Sequence, residues 1–350
     1  MAENPPFRAL AVCGPTASGK SALGVRLAQS LSGEVLNLDS VQVYRGLDVG
    51  SAKISTVGRR GVPHHLLDIF SPDEPANVAL FRDAALEVLS DVTKRERLPV
   101  LVGGSGMYLT VLLHGLAPLP PSDEAVRADL QKRSLPDLYA QLREVDPISA
   151  DRINQNDFMR VSRALEVWSA TGRKPSEVFG EHNFVKAEVV ALIVVLCRPR
   201  AELYTRIDRR AQTMVEQGLI EETARIRSLF GNPTPLTTIG YQQACQVLDG
   251  TLTEASLVCE IALHTRRFSK RQMTYWRNEP RKRDWLVRPT EDEPGDSIEG
   301  FETHPARGQK FMKGFRAFTL TESKLVELVR DRLTLPLART EVWHVRLIEE

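Results

Sequence analysis

The stretch "RALAVCGPTASGKSALGVRLAQSL", Arg8 to Leu31, joins an apolar run, a glycine-rich loop and a segment of helical spacing. The run reads as a buried strand and the segment after it as a helix ending before Gly33. The loop between them fits G-x-x-x-x-G-K-[ST]. Gly14 and Gly19 permit a tight turn whose backbone N–H groups converge on an anion, Lys20 adds a positive charge, and the Ser21 hydroxyl can ligate Mg²⁺. The helix directs its positive end at the same point. Loops of this kind serve kinases, ATPases and transferases alike, so the rest of the chain must say which phosphates are held.

Outward from the loop, strand and helix patterns alternate. "GEVLNLDS" is a second short strand leading to Asp39, and "HHLLDIF" is a candidate third. "NVALFRDAALEVLSDVTKRE" is an amphipathic helix, and "LPVLVGG" a further buried strand. This alternation implies a parallel sheet with helices on both faces. After "GLAPLPPSDE" the pattern turns helical. In "NDFMRVSRALEVWSATG", Asn156 or Asp157 is the expected N-cap and Gly172 the stop. "VVALIVVLC" then returns to strand, followed by helices over 201–230 and 253–277. The expected organisation is a P-loop NTPase-like α/β core over 1–117 and 187–288, an all-helical insertion over 118–186, and a tail of unknown role over 289–350.

Composition sets limits. The 350-residue chain is 42% hydrophobic and 26% charged, as in an ordinary globular protein. Its longest apolar run, Val189 to Cys197, is about half of what crosses a bilayer. The first ten residues lack the pattern of a secretory signal. Four scattered cysteines with no C-x-x-C pair point to a reduced protein without structural zinc. Cytoplasmic location is expected. A net charge of +1 excludes a uniformly basic coat, but charge is clustered. "HTRRFSKRQMTYWRNEPRKR", His264 to Arg283, holds eight Lys or Arg and one acid, and "RPRAELYTRIDRR" spans Arg198 to Arg210. The first cluster, with Tyr275 and Trp276, reads as RNA-contacting.

An NTPase adds a strand ending in a Mg²⁺-directed Asp. "LPVLVGG" ends in two glycines instead. Asp39 ends "VLNLD" and is open to two readings, metal ligand or substrate-facing acid. A phosphate loop without an evident hydrolytic partner suggests phosphates used as a handle or a leaving group.

Together, "GPTASGKS", "LDSVQVYRGLDVGSAK", "PHHLLDI", "LVGGSGMYL", "RVSRALEV", "IGYQQ" and "TRRFSKRQMTYWR" resemble the tRNA dimethylallyltransferases, also called tRNA isopentenyltransferases. The resemblance runs in order from about Leu10 to Arg277. It implies transfer of a dimethylallyl group from dimethylallyl diphosphate to N6 of the adenosine 3′ to the anticodon (position 37), giving i6A and releasing pyrophosphate. It assigns the diphosphate to Gly14, Pro15, Thr16, Ala17, Ser18, Gly19, Lys20 and Ser21, with Mg²⁺ on Ser21 and Arg210 opposite (Arg209 is adjacent, and the assignment can slip by one). Asp39 becomes the base that takes the amine proton, with Thr16 and Arg210 completing the catalytic set. The tRNA anticodon stem-loop is assigned to Asp39, Ser40, Val41 and Gln42; to Ser105 with Arg127; to Met159, Arg160, Val161, Ser162 and Arg163; and to Thr237, Thr238, Ile239, Gly240, Tyr241 and Gln242. A monomer without membrane association is expected.

Some positions depart from the family pattern. Ser105 stands where threonine is more frequent, and Met159 and Thr237 stand where polar or basic residues are frequent. No C-x-x-C…H-x-H finger follows the core. Three rival readings are weaker. An adenylate isopentenyltransferase needs neither the helical insertion nor the basic helix. A P-loop ATPase or nucleotide kinase lacks its second acid. A non-catalytic RNA-binding protein has no need of Lys20, Ser21 and Asp39.

Overall fold

The computed structural model describes residues 7–74, 76–116, 119, 123–181, 188–278, 286–287, 318–334 and 341–347. In chain order, β1 (Phe7–Cys13) leads through the phosphate loop into α1 (Lys20–Ser30). Next come β2 (Gly33–Asn37), β3 (His64–His65), α2 (Val78–Lys94), β4 (Leu98–Gly103) and α3 (Gly106–His114). Five helices follow: α4 (Glu124–Lys132), α5 (Leu135–Val145), α6 (Pro147–Arg152), α7 (Phe158–Thr171) and α8 (Pro175–Glu181). Then come β5 (Val189–Leu196), α9 (Arg200–Glu216), α10 (Leu219–Phe230), α11 (Tyr241–Leu248) and α12 (Glu254–Asn278). Last are β6 (Leu286–Val287), β7 (Phe318–Leu320), α13 (Glu322–Thr334) and β8 (Glu341–Leu347).

The strands form one sheet in the order β3-β2-β4-β1-β5-β8-β6, with β7 also on β8 and every pairing parallel. Side chains alternate between faces with period two. Ala9, Ala11 and Cys13 of β1, with Ala191 and Ile193 of β5, join one core. Leu10, Val12, Leu192 and Val194 join the other, against Leu23 and Leu27 of α1 and Leu325 and Val329 of α13. All eight residues of β5 are buried, which is why its sequence is continuously apolar.

Three sequence readings change. "HHLLDIF" yields only the two residues of β3, because Leu66 and Asp68 take positive φ of 62° and 58° and leave the strand. The expected helix over 201–230 is two helices, parted at Gly218. The poorly patterned tail supplies β8, five of whose residues pair with β5.

Residues Met1–Leu113 and Glu188–Glu350 form one compact unit, and His114–Ala187 a second. In the second, helices start on side-chain caps: Asp123 accepts from Ala125 N (2.8 Å), Ser134 from Asp137 N (3.3 Å) and Asp157 from Arg160 N (3.1 Å). Asp157, not Asn156, is therefore the cap of α7. That helix ends at Gly172, whose φ of 65° closes a bond from its N–H to Trp168 O at 2.8 Å. Its core is small: Leu130, Leu138, Leu142, Val161, Ala164 and Leu165.

Candidate active site

Where a parallel sheet's strands end, loops gather and ligands are received. The β1–α1 loop here is braced from outside by cations. Arg198 Nε donates to Ser18 O at 2.6 Å, Arg206 Nε to Ala17 O at 2.8 Å, and Lys20 Nζ to Pro15 O at 3.4 Å. With those carbonyls satisfied, the loop's last N–H groups and the opening turn of α1 remain for an anion.

β4, not β1, is the neighbour of β2. Leu38 N donates to Val102 O at 2.8 Å and Ser105 N to Leu38 O at 3.2 Å, so Asp39 emerges beside the end of β4. The two glycines that stood in place of an acid now have a cause. A Cβ on Gly103 would lie 2.3 Å from Leu38 O, and one on Gly104 would lie 2.4 Å from Gln272 Nε2. Asp39 Oδ1 accepts from Val41 N (2.9 Å) and Gln42 N (3.3 Å), capping the turn that follows. Its Oδ2 has no hydrogen-bond partner among the described residues.

Opposite stands α9. Arg210 donates through NH2 to Ser51 O at 3.2 Å, and Gln42 Nε2 donates to the same carbonyl at 3.1 Å. Arg209 is exposed and does not line the cavity, whereas Arg210 does. Burial, and then the Arg210 charge, hold the Lys20 ammonium down at about 8, against the opposite pull of Asp39. Burial also lowers Arg210, again opposed by Asp39.

These groups line one cavity of about 340 Å³. Thr16, Lys20, Ser21, Asp39 and Arg210 are on its polar side; Val102, Ile207, Met214 and Ile261 form an apolar wall; Thr237, Thr238, Ile239 and Arg271 are at its edge, together with Ser40, Val41 and Gln42. The lining offers Lys20 and Arg210 to an anion, the apolar side chains to an apolar group and the Asp39 carboxylate to a proton donor.

Several expected site residues do not reach it. Ser18 is fully buried, and its Oγ has no partner among the described residues. Thr16 does line the cavity, but its N–H is already taken by Gln272 Oε1 at 2.9 Å. Tyr241 is fully buried with its hydroxyl on Glu222, and Gly240 is buried at the start of α11. In the helical unit Val161 is core, and Ser162 is 7% exposed with no partner for Oγ. The side chains of Tyr241, Val161 and Ser162 are thus turned into the protein, and Gly240 has none. Met159 is 75% exposed, Arg160 pairs with Asp157, and Gln242 is exposed. Arg127 and Arg163 share the buried carboxylate of Glu166 at 3.1 and 2.8 Å.

Trp276 and Tyr275 of the basic helix are turned inward, whereas Phe268 on the same helix is 37% exposed and lines the cavity. Trp276 is 1% exposed, and Tyr275 OH bonds to Thr110 and Gly106 O. Neither is placed to stack on bases, whereas Arg267, Lys270 and Arg271 remain exposed. Gln272, which ties Thr16 N to Gly104 O, was missed by sequence reasoning. Its signal was present: Ser269, Gln272 and Trp276 fall on the helix's buried stripe at three- and four-residue spacing.

Residues 42–279 match the family model described as IPP transferase, and residues 7–61 that described as isopentenyl transferase. The chain belongs to the tRNA dimethylallyltransferase family. It is 42% identical over 287 residues to a tRNA dimethylallyltransferase of Anaeromyxobacter sp. (strain Fw109-5), covering 81% of this chain and 95% of that one. It is 40% identical over 284 residues to that of Nitrosomonas europaea, covering 79% and 89%. Among solved structures, the tRNA isopentenylpyrophosphate transferase of Bacillus halodurans is 36% identical with a TM-score of 0.57, covering 78% of this chain and 87% of that one. A eukaryotic dimethylallyltransferase acting on tRNA is 26% identical with a TM-score of 0.68, covering 77% and 70%. The family model stops at residue 279, before β6, β7, α13 and β8. Among the described residues, no helix is long and apolar enough to cross a membrane.

Proposed function

We propose that this chain transfers the dimethylallyl group of dimethylallyl diphosphate to N6 of the adenosine 3′-adjacent to the tRNA anticodon, forming i6A and releasing pyrophosphate. One observation carries the reading: Lys20, Ser21, Asp39 and Arg210 share a single cavity with an apolar wall. A nucleotide kinase needs room for a base beside its phosphates, whereas here the groups next to the cradle are Ile207, Met214 and Ile261.

In the reaction the allylic C–O bond breaks, its electrons leave with pyrophosphate, and the N6–C bond forms as the amine loses a proton. Lys20, Arg210 and the opening amides of α1 stabilise the charge gathering on the leaving group. Asp39 Oδ2 takes the proton, while the bonds to Oδ1 hold the carboxylate in orientation. The apolar wall keeps water from the allylic carbon. Thr16 offers its hydroxyl at the cavity surface.

Mg²⁺ fits this site only in company. Among the described residues no three or more His, Cys, Asp or Glu form a metal-holding group, so Ser21 Oγ would share the ion with diphosphate oxygens and water. Bound there, the ion would neutralise leaving-group charge.

For the tRNA, exposure and lining support contacts from Ser40, Val41, Gln42, Thr237, Thr238, Ile239 and Arg271. Within the helical unit, exposed Met159 and Arg160 and the paired Arg127 and Arg163 are available, with Ser105 and Gln242 in the first unit. A monomer in the cytoplasm is part of the same reading.

Incubation with labelled dimethylallyl diphosphate and, in parallel, unmodified tRNA, AMP or ATP alone tests it. Label is expected in tRNA. Label in AMP, or γ-phosphate release without the donor, would replace the reading with a rival.

A further inference from the structure

A buried carboxylate that the reaction does not use lies behind the cavity. Glu222, in the first turn of α10, is 8% exposed, although its neighbour Glu221 faces solvent. Its oxygens accept from Asp48 N (3.0 Å), Val49 N (3.0 Å) and Gly50 N (3.1 Å), and from Tyr241 OH at 2.6 Å. Gly50 lets the ring of Tyr241 close on the loop, since a Cβ there would lie 2.5 Å from Tyr241 Cζ. Burying a carboxylate is costly unless its lone pairs are satisfied, and here four donors converge on it. The bonds join residues more than 170 positions apart, except for that from Tyr241.

What this clamp fixes is the next residue. Ser51 O accepts from both Gln42 and Arg210, two side chains of the cavity wall. If the loop slips, the shared acceptor moves, and the guanidinium opposite the phosphate loop loses its anchor.

We propose that Glu222 is a positioning residue: through the amides of 48–50, and with Tyr241 as its fourth donor, it sets Ser51 O and thereby aims Arg210 at the leaving group. The inference deepens the transferase reading and rests on it. It also gives Tyr241 of "IGYQQ" a role inside the protein.

Glu222→Gln keeps the volume but turns one acceptor into a donor facing amide donors; Tyr241→Phe removes the hydroxyl's bond to Glu222 and its contact with the Ser51 backbone. Each is measured for melting temperature, for Mg²⁺-pyrophosphate affinity by calorimetry, and for kcat and KM with dimethylallyl diphosphate and tRNA. Glu222→Gln should weaken pyrophosphate roughly tenfold and raise donor KM about as much, with kcat changed less than about threefold. Tyr241→Phe should move both about threefold in the same direction. In an Arg210→Ala background, either substitution should add less than about twofold, because the path runs through Arg210. Wild-type pyrophosphate affinity in both folded variants, or full additivity with Arg210→Ala, overturns the proposal and leaves Glu222 a structural residue. Should Glu222→Gln not fold, the Tyr241→Phe cycle decides alone. Pyrophosphate binding that follows these expectations in a protein that leaves tRNA unlabelled would sink the transferase reading and keep the clamp.

Discussion

The two segments bordering the cavity are held by opposite charges. The phosphate loop is gripped by its carbonyls: Arg198, Arg206 and Lys20 donate to residues 18, 17 and 15. Segment 39–51 is gripped by its amides: Asp39 takes those of residues 41 and 42, and Glu222 those of 48–50. Each clamp satisfies one polarity of the backbone in its own segment. At the cavity the loop wall presents Lys20, a donor that suits an anion, and the facing wall presents Asp39, an acceptor that suits a group with a proton to lose. The pairing teaches that the two segments are held partly from behind, by Arg198, Arg206 and Glu222, which do not line the cavity, and partly by Lys20 and Asp39, which do.

Breaking the accepting wall at its chemical group should cost most. Asp39→Ala should lower tRNA labelling about a thousandfold, with pyrophosphate affinity retained in calorimetry. Parallel loss of that affinity would favour the metal-ligand reading of Asp39.

The donating wall is tested by its charge. Lys20→Met should weaken pyrophosphate about a hundredfold. The wild-type protein carries its own pH signature. With Lys20 at about 8, the ammonium is charged below that pH and neutral above it, so wild-type affinity should fall as pH rises through about 8. The Met variant should be flat across that interval. The stability sign is the reverse: between the depressed native value and the ordinary 10.5, the unfolded chain binds more protons, so stability rises with pH. A wild-type binding curve unchanged from pH 7 to 9 would contradict the assignment of this charge to the cradle.

Loosening the outer clamp sharpens the comparison. Arg198→Ala combined with Arg206→Ala should reduce pyrophosphate affinity roughly tenfold, through the loop's carbonyls alone. The smallest effect is expected at Ser18. Its hydroxyl is buried and has no partner among the described residues, so Ser18→Ala should leave donor KM within about twofold and stability unchanged or slightly raised. A large loss would return that hydroxyl to the diphosphate.

Legibility followed locality. The phosphate loop, the parallel sheet and the Asp157 cap are written in consecutive residues, and the structure displays each. Asp39, Gln42 and Arg210, each within a motif of the sequence, line one cavity. Glu222 was invisible because a pair of glutamates in a first helical turn normally faces water, and its partners lie far away in sequence. Trp276 and Tyr275 misled for a related reason. Beside so many arginines they suggested base stacking, yet helical spacing sets them on the stripe that Ser269 and Gln272 continue inward. Val161, Ser162 and Tyr241 lay within motifs, and a motif does not separate residues that touch a ligand from those that support their neighbours.

β8 has a practical consequence. A chain trimmed at 279, where the family model stops, would retain every residue lining the cavity. It would also bare one edge of Val189–Leu196, eight buried apolar residues of which the five from Leu192 to Leu196 pair with β8. Such a shortened protein should self-associate and precipitate while its chemistry stays intact, so loss of yield on trimming would report an uncovered strand and not a damaged catalyst.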